Sequence, residues 1–93
     1  MKFTTARLCG GKALMAVSAD VMDIDIGRAA EKLRSDGCEI RQQDDMMLVF
    51  VWNGMETTLY PQGKVMFFPL EDKKLCVKYA TDILESLRTE ERR

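Results

Sequence analysis

Three cysteines are the residues of this 93-residue chain best suited to redox, nucleophilic or metal chemistry. Cys9, Cys38 and Cys76 are odd in number, lie far apart and form no C-x-x-C pair. The chain has no histidine, which excludes imidazole catalysis and removes the usual companion ligand of zinc. Because free cysteine packs as a small apolar residue, we expect three reduced structural thiols, no metal site and a cytoplasmic protein.

Two short motifs could carry other chemistry. Gly10-Gly11-Lys12 suggests a phosphate loop, but the G-x-x-x-x-G-K-[ST] spacing is missing, so a tight turn is the better interpretation. Asp44-Asp45 could be half of a metal site or an acid–base dyad, but no further ligands converge on it in the sequence, which again favours a turn. The sequence therefore predicts a protein that is not an enzyme and has no cofactor.

Composition bounds the architecture and the partners. The chain is 46% hydrophobic and 31% charged, with six glycines and two prolines, which is typical of one folded domain. The net charge is −1, so the generally basic surface of a phosphate-binding protein is absent. No run approaches the roughly 18 apolar residues of a membrane span, and no signal-peptide core is visible. We expect a single domain over residues 1–88 and a frayed tail over 89–93.

Apolar residues at helical spacing predict two helices. The first contains Ile26, Ala29, Ala30 and Leu33 at i, i+3, i+4 and i+7. Asp25 precedes it as the N-cap. The second helix is predicted from residue 71 to about residue 88.

β-prone segments surround these helices. Two runs, 3–8 and 12–18, flank Gly10-Gly11 and are interpreted either as a tight hairpin or as one bulged strand. Four strands are predicted between the helices, at 38–42, 46–52, 55–60 and 64–68. Asn53-Gly54 predicts a two-residue hairpin loop, and Gly63 allows the next turn.

The two hairpins determine which side chains share a face of the sheet. The predicted core face, which both helices should cover, consists of Leu48, Phe50, Trp52, Met55, Leu59, Val65 and Phe67. The opposite side is called the open face, and it consists of Met47, Val49, Val51, Glu56, Thr58, Tyr60, Lys64, Met66 and Phe68. This side is mostly apolar, although the sequence offers no third helix to bury it.

The open face measures roughly 400 Å² for four strands, the size at which an apolar patch indicates a partner. The predicted interaction residues are Met47, Val49, Val51, Thr58, Tyr60, Lys64, Met66 and Phe68. A homodimer, another protein, or the N-terminal hairpin folding across could cover the face. A small enzyme or ligand carrier using Tyr60, Lys64 and Glu56 is a further hypothesis, although it lacks histidine and a phosphate loop.

Residues 13–88 resemble one repeat of the TATA-box-binding protein family. The tract T-T-L-Y-P-Q-G-K-V-M at 57–66 is similar to that family's T-T-A-L-I-F-S-S-G-K-M-V, and L-C-V-K-Y-A at 75–80 is similar to its L-A-A-R-K-Y-A. The resemblance implies an α+β fold of order β-α-β4-α, with an antiparallel sheet and two helices packed on one face. It also implies a sheet face that enters the DNA minor groove, with Tyr60 as a wedge and Lys64 at the turn.

Acidic residues oppose that activity. The resemblance places Asp45 at the second wedge position, beside Gln43 and Asp44, where the family has basic residues. Residues 20–45 contain eight acids and four bases, so this segment repels a polyanion. The predicted function is therefore a non-catalytic binding or self-association module with nucleic acid not expected as a ligand. The alternative is a minor-groove DNA-binding protein that acts as a dimer of half-saddles.

Overall fold

The computed structural model describes residues 2–20 and 22–91 and shows an α+β fold. The elements in chain order are β1 (Phe3–Leu8), β2 (Ala13–Ser18), α1 (Ile26–Ser35), β3 (Glu39–Gln43), β4 (Leu48–Trp52), β5 (Met55–Tyr60), β6 (Lys64–Phe68) and α2 (Lys73–Glu91). All six strands form one antiparallel sheet in the order β1-β2-β6-β5-β4-β3. The predicted α+β class is confirmed.

The predicted order β-α-β4-α is one strand short, because two strands precede α1. A 3-10 turn at Cys9–Gly11 joins β1 to β2, and Gly10 and Gly11 both have positive φ, at 69° and 89°. Glycine adopts this conformation without steric cost, so the chain reverses here instead of continuing as one bulged strand. β1 then pairs along its whole length with β2, at the outer edge of the sheet.

The two predicted hairpins among the later strands are confirmed in register. Trp52 pairs with Met55 across the β4–β5 loop, where Asn53 and Gly54 have φ values of 51° and 74°. Leu59 pairs with Val65 across the β5–β6 turn. Asparagine and glycine tolerate positive φ, which explains why a two-residue loop forms here.

Both helices begin at carboxylate caps. Asp25 accepts a hydrogen bond from the backbone N of Arg28 at 3.1 Å, as its predicted N-cap role requires. Asp72 caps α2 by accepting from the backbone N of Lys74 at 2.9 Å. This helix starts two residues after the predicted position and continues to Glu91. Residues 89–91 of the predicted tail are therefore helical, and Arg92 and Arg93 lie outside the described residues.

The core lies between the helices and one side of the sheet. Buried residues of α1 and α2 form one cluster with core-face side chains of the sheet. Leu48, Phe50, Leu59 and Phe67 are fully buried, as predicted. Trp52 is partly buried, and its ring lies 4.9 Å from the ring of Tyr79 on α2, centroid to centroid. Both helices thus cover the same face, and their positions leave the other face of the sheet outward.

Candidate interaction face

The open face is larger than the sequence indicated, because all six strands contribute to it. Its middle is a row of directly paired residues, one per strand, which we call the central row. It consists of Ala6, Met15, Met66, Thr58, Val49 and Gln42. None of these six residues is charged. The N-terminal hairpin widens this face instead of folding across it, because β1 pairs with the outer edge of β2.

Two further rows flank the central row. On the side of the Asn53-Gly54 loop, Val51, Glu56 and Phe68 are paired in turn across β4, β5 and β6. On the opposite side, Val17, Lys64 and Tyr60 are paired in turn across β2, β6 and β5. The strand pairing therefore brings seven of the eight predicted interaction residues onto one surface. The eighth, Met47, lies just before β4 and is half-buried.

The side chains of the open face differ in how much of their surface is exposed to solvent. Val49 and Thr58 are only 8% and 5% exposed, so larger neighbours cover them. Val51, Tyr60 and Met66 are half-buried, and Phe68 is 39% exposed. A partner would meet mainly the side chains of the half-buried and exposed residues. Val49 and Thr58 support these residues from beneath.

Two unpaired charges of opposite sign lie at opposite ends of the face. Glu56 near the start of β5 and Lys64 at the start of β6 are both exposed, and neither makes an ion pair within residues 2–20 and 22–91. Each lies two residues from the Thr58–Met66 pair of the central row. Four residues of strand separate them, or about 14 Å along the strand direction. Charges so far apart do not neutralise each other, and a single reacting atom could not contact both.

A notch of about 340 Å³ opens at the Glu56 end of the face. Its lining residues are Arg41, Val51, Gly54, Glu56, Phe68 and Pro69. Arg41 reaches this position because the register of β3 against β4 shifts between Ile40 and Gln42, leaving Arg41 as an extra residue. Its guanidinium forms an ion pair with Glu39 on the same strand. The notch is therefore lined by one neutralised arginine, one unpaired carboxylate and apolar side chains.

The sequence interpretation missed the contributions of β1, β2 and Arg41. The alternation within β2, where Leu14 and Ala16 are buried in the core and Met15 and Val17 face outward, could have indicated the first two. No local signal predicts the irregularity at Arg41. The irregularity depends on the register in which β3 pairs with β4.

Cys76 is buried, as the packing interpretation predicted, and Cys38 is half-buried. Burial raises the pKa of the Cys76 thiol to about 11. The pKa of the Cys38 thiol is also raised, first by burial and then by the nearby Asp36 carboxylate. A raised pKa disfavours the reactive thiolate, so neither thiol is an activated nucleophile. The side chain of Cys9 lies outside what the structure describes.

The other candidate chemical motifs are turns. Asp44 accepts hydrogen bonds from the backbone N atoms of Met46 and Met47, at 2.7 and 3.0 Å, so its carboxylate closes the β3–β4 turn. The described residues contain no group of three or more acidic, cysteine or histidine side chains that could hold a metal ion. Within the same residues, no helix has the length and apolar character needed to span a bilayer.

Comparisons of the chain with protein-family models, with curated proteins and with solved structures gave no match. Functional inference therefore rests on the geometry of the open face.

Proposed function

We propose that the protein is a non-catalytic binding or self-association module that uses the open face of its sheet to contact a protein partner or a second copy. The observation that supports this proposal is a mostly apolar face spanning six strands, on the side of the sheet opposite both helices. Six strands at about 4.8 Å each and five residues along each strand at about 3.4 Å each give a face of about 500 Å². Apolar surfaces of several hundred Å² are often interaction sites on soluble proteins.

The side chains on the face suit association better than catalysis. Met15 and Met66 lie side by side in the central row, and methionine adapts its shape to different contacts. Glu56 and Lys64, the two unpaired charges, lie at the ends of the face, where charges of an interface remain hydrated. Their separation argues against the small enzyme that uses Tyr60, Lys64 and Glu56 together, because an acid–base pair must reach the same reacting group.

Minor-groove DNA binding is the weaker candidate. Arg41, which lines the notch beside the face, is already paired with Glu39. Within the three rows of the face, this leaves Lys64 to meet a phosphate. Asp45 is exposed at the β3–β4 turn, where the family resemblance requires a wedge. Binding to DNA grows with the number of phosphates that a protein neutralises, so this surface gains little from a duplex.

We also propose that the fold is a single TATA-box-binding-protein-like repeat with one strand added. Without β1, the elements β2 to α2 follow the order β-α-β4-α that the resemblance implies. A cytoplasmic location fits the same proposal, because the Cys38 and Cys76 thiols are free and reduced thiols are typical of that compartment.

Methionine oxidation footprinting tests the proposed function, because methionines lie on the open face, at an exposed turn and in the core. Met15 and Met66 report on the open face, the 65% exposed Met46 serves as the accessible control and the buried Met55 as the protected control. The oxidised fraction of each is measured by mass spectrometry in dilute purified protein and in intact cells producing the protein. We expect Met15 and Met66 to be oxidised in the dilute protein and protected in cells, with Met46 unchanged.

A matched pair of variants sharpens this experiment. Met66→Lys places a charge on the open face, whereas Leu75→Lys makes the same type of change at an exposed apolar position of α2. Protection of Met15 in cells should be lost in the first variant and kept in the second. Equal oxidation of Met15 in dilute protein and in cells, with Met46 behaving as expected, would contradict the proposed function.

A further inference from the structure

We infer that the occupant of the open face is a second copy of this chain, packed face to face about a twofold axis that brings Glu56 of each copy against Lys64 of the other. This inference rests on the proposed function, whose partner it names. It is carried by three features of the described residues. These are the size of the face, the placement of its two unpaired charges, and the angle between the strands of the two sheets that results when those charges are paired.

The first feature is size. Two copies of a face of about 500 Å² together bury about 1,000 Å², the lower bound for a specific protein interface. The uncharged central row would lie in the middle of this interface, and the exposed ring of Phe68 would be covered. Homodimer interfaces have this distribution, with an apolar centre and charges at the rim.

The second feature is charge. Glu56 and Lys64 lie on opposite sides of the central row and at equal distance from it, two residues from Thr58 and Met66 respectively. A twofold axis that follows the central row exchanges the two ends of the face. Each unpaired carboxylate then approaches an unpaired ammonium group of the other copy, twice per dimer. One surface thus supplies both halves of the complementarity, as a twofold interface requires.

The third feature is the crossing angle. Glu56 and Lys64 are on neighbouring strands. The line that joins them is therefore inclined to the strand direction, because it shifts by one strand spacing between its two ends. If Glu56 of one copy lies directly over Lys64 of the other, the twofold axis is tilted by about 20° from the central row. The strands of the two sheets then cross at twice this angle, about 40°. Sheets that pack in aligned sandwiches cross at about 30°, with scatter. The charges therefore select an orientation that packed sheets already favour.

The two other charged residues placed at this surface by β3, Glu39 and Arg41, do not oppose the arrangement. Glu39 pairs with Val51 across β3 and β4, so its side chain lies on the open face beside Arg41. The ion pair between Glu39 and Arg41 neutralises both residues within one chain. Glu56 and Lys64 are left as the charges whose partners the second copy supplies.

Charge reversal with mixing tests the inference. Sedimentation equilibrium on the wild-type protein should give a dimer at micromolar concentration. Glu56→Lys and Lys64→Glu should each raise the dimer Kd by about tenfold or more, because every dimer then contains two like-charge contacts. An equimolar mixture of the two variants should recover a Kd close to that of the wild type, because each contact again joins one acid with one base. The double variant E56K/K64E should recover it as well.

The controls reproduce the change of net charge away from the face. Glu31→Lys on α1 and Lys74→Glu on α2 alter exposed positions of the helices and should leave the dimer Kd unchanged. A wild type that stays monomeric at high micromolar concentration overturns the inference. If Met15 and Met66 are nevertheless protected in cells, the proposed function stands and another protein covers the face. A dimer that is indifferent to both reversals, or two variants that fail to recover on mixing, also overturns the inference.

Discussion

Cys76 shows how burial governs the chemistry of a single residue. Its side chain is fully buried against the sheet, among Ala80, Ile83 and Leu84 of α2. Ionising a thiol in that place means moving a charge out of water, which is why its pKa rises from 9.0 to about 11. The residue type that first suggests reactivity is therefore inert because of its surroundings.

Cys76 should make the stability of the protein depend on pH in the alkaline range. The unfolded thiol ionises near pH 9 and the folded one near 11, so ionisation favours the unfolded state between these values. We expect the free energy of unfolding to fall by about 2 kcal/mol from this residue as the pH rises from 9 to 11. Urea unfolding at several pH values should show a weaker decline for Cys76→Ala than for the wild type. Parallel declines would contradict this prediction.

Leu59 is the centre of the core face and should be sensitive to truncation. It is fully buried and is paired on one side with Leu48 and on the other with Val65. Leu59→Ala should lower the free energy of unfolding by about 2 to 5 kcal/mol, because it loses burial and leaves a cavity. Chemical denaturation checks this value. The exposed Gln43→Ala serves as control and should change stability by less than about 0.5 kcal/mol.

Single residues were predictable where a local rule governs them. Asp25 as N-cap and Asn53-Gly54 as a hairpin loop depend only on neighbours in the chain. Arg41 was not predictable, because its place beside the notch depends on the register between two strands.

At the scale of elements, a turn can be constrained both by the backbone conformation of its glycine and by the atoms packed against that glycine. Gly63 has a φ of 98° in the β5–β6 turn, and its carbonyl accepts a hydrogen bond from the N of Ser18 at the end of β2. A Cβ atom at this position would lie 2.9 Å from the Met22 sulfur. Gly10 in the β1–β2 turn also has positive φ, but a Cβ there would meet nothing within 4 Å.

These two glycines should therefore differ in their response to the same substitution. Gly10→Ala should cost about 1 kcal/mol of stability, from backbone strain alone. Gly63→Ala should cost about 2 to 3 kcal/mol, since it adds displacement of Met22 to the strain. Thermal and urea unfolding of both variants check the difference. Equal losses would show that the contact at Gly63 is relieved without cost.

The hairpins among β4, β5 and β6 followed from the sequence because their loops are short and their turn residues specific. The end of α2 did not, since the charged residues after Arg88 are compatible with either a helix or a tail. The pairing of β2 with β6 was also beyond local rules, because α1 and three strands lie between them in the chain.

At the scale of the whole molecule, charge predicts a weak response to DNA. The chain carries a net charge of −1, and the acidic segment 20–45 includes Asp45 at the exposed β3–β4 turn. We expect no submicromolar binding to A·T-rich duplex at physiological salt, because few phosphates can be neutralised. Fluorescence anisotropy measures this, with a G·C-rich duplex as control. Tight binding to the A·T-rich duplex alone, abolished by Tyr60→Ala, would restore the minor-groove hypothesis.

The position of β2 beside β6 sets the order in which the fold can be completed during synthesis. The β1–β2 hairpin is translated first, but the strand that must pair with it comes after α1, β3, β4 and β5. Until β6 and α2 have been synthesised, Leu14 and Ala16 lack both the strand on the other side of β2 and the helix that helps to bury them. We therefore expect the β2–β6 pairing to form late in folding, because contacts between segments far apart in the chain carry a large cost of loop closure.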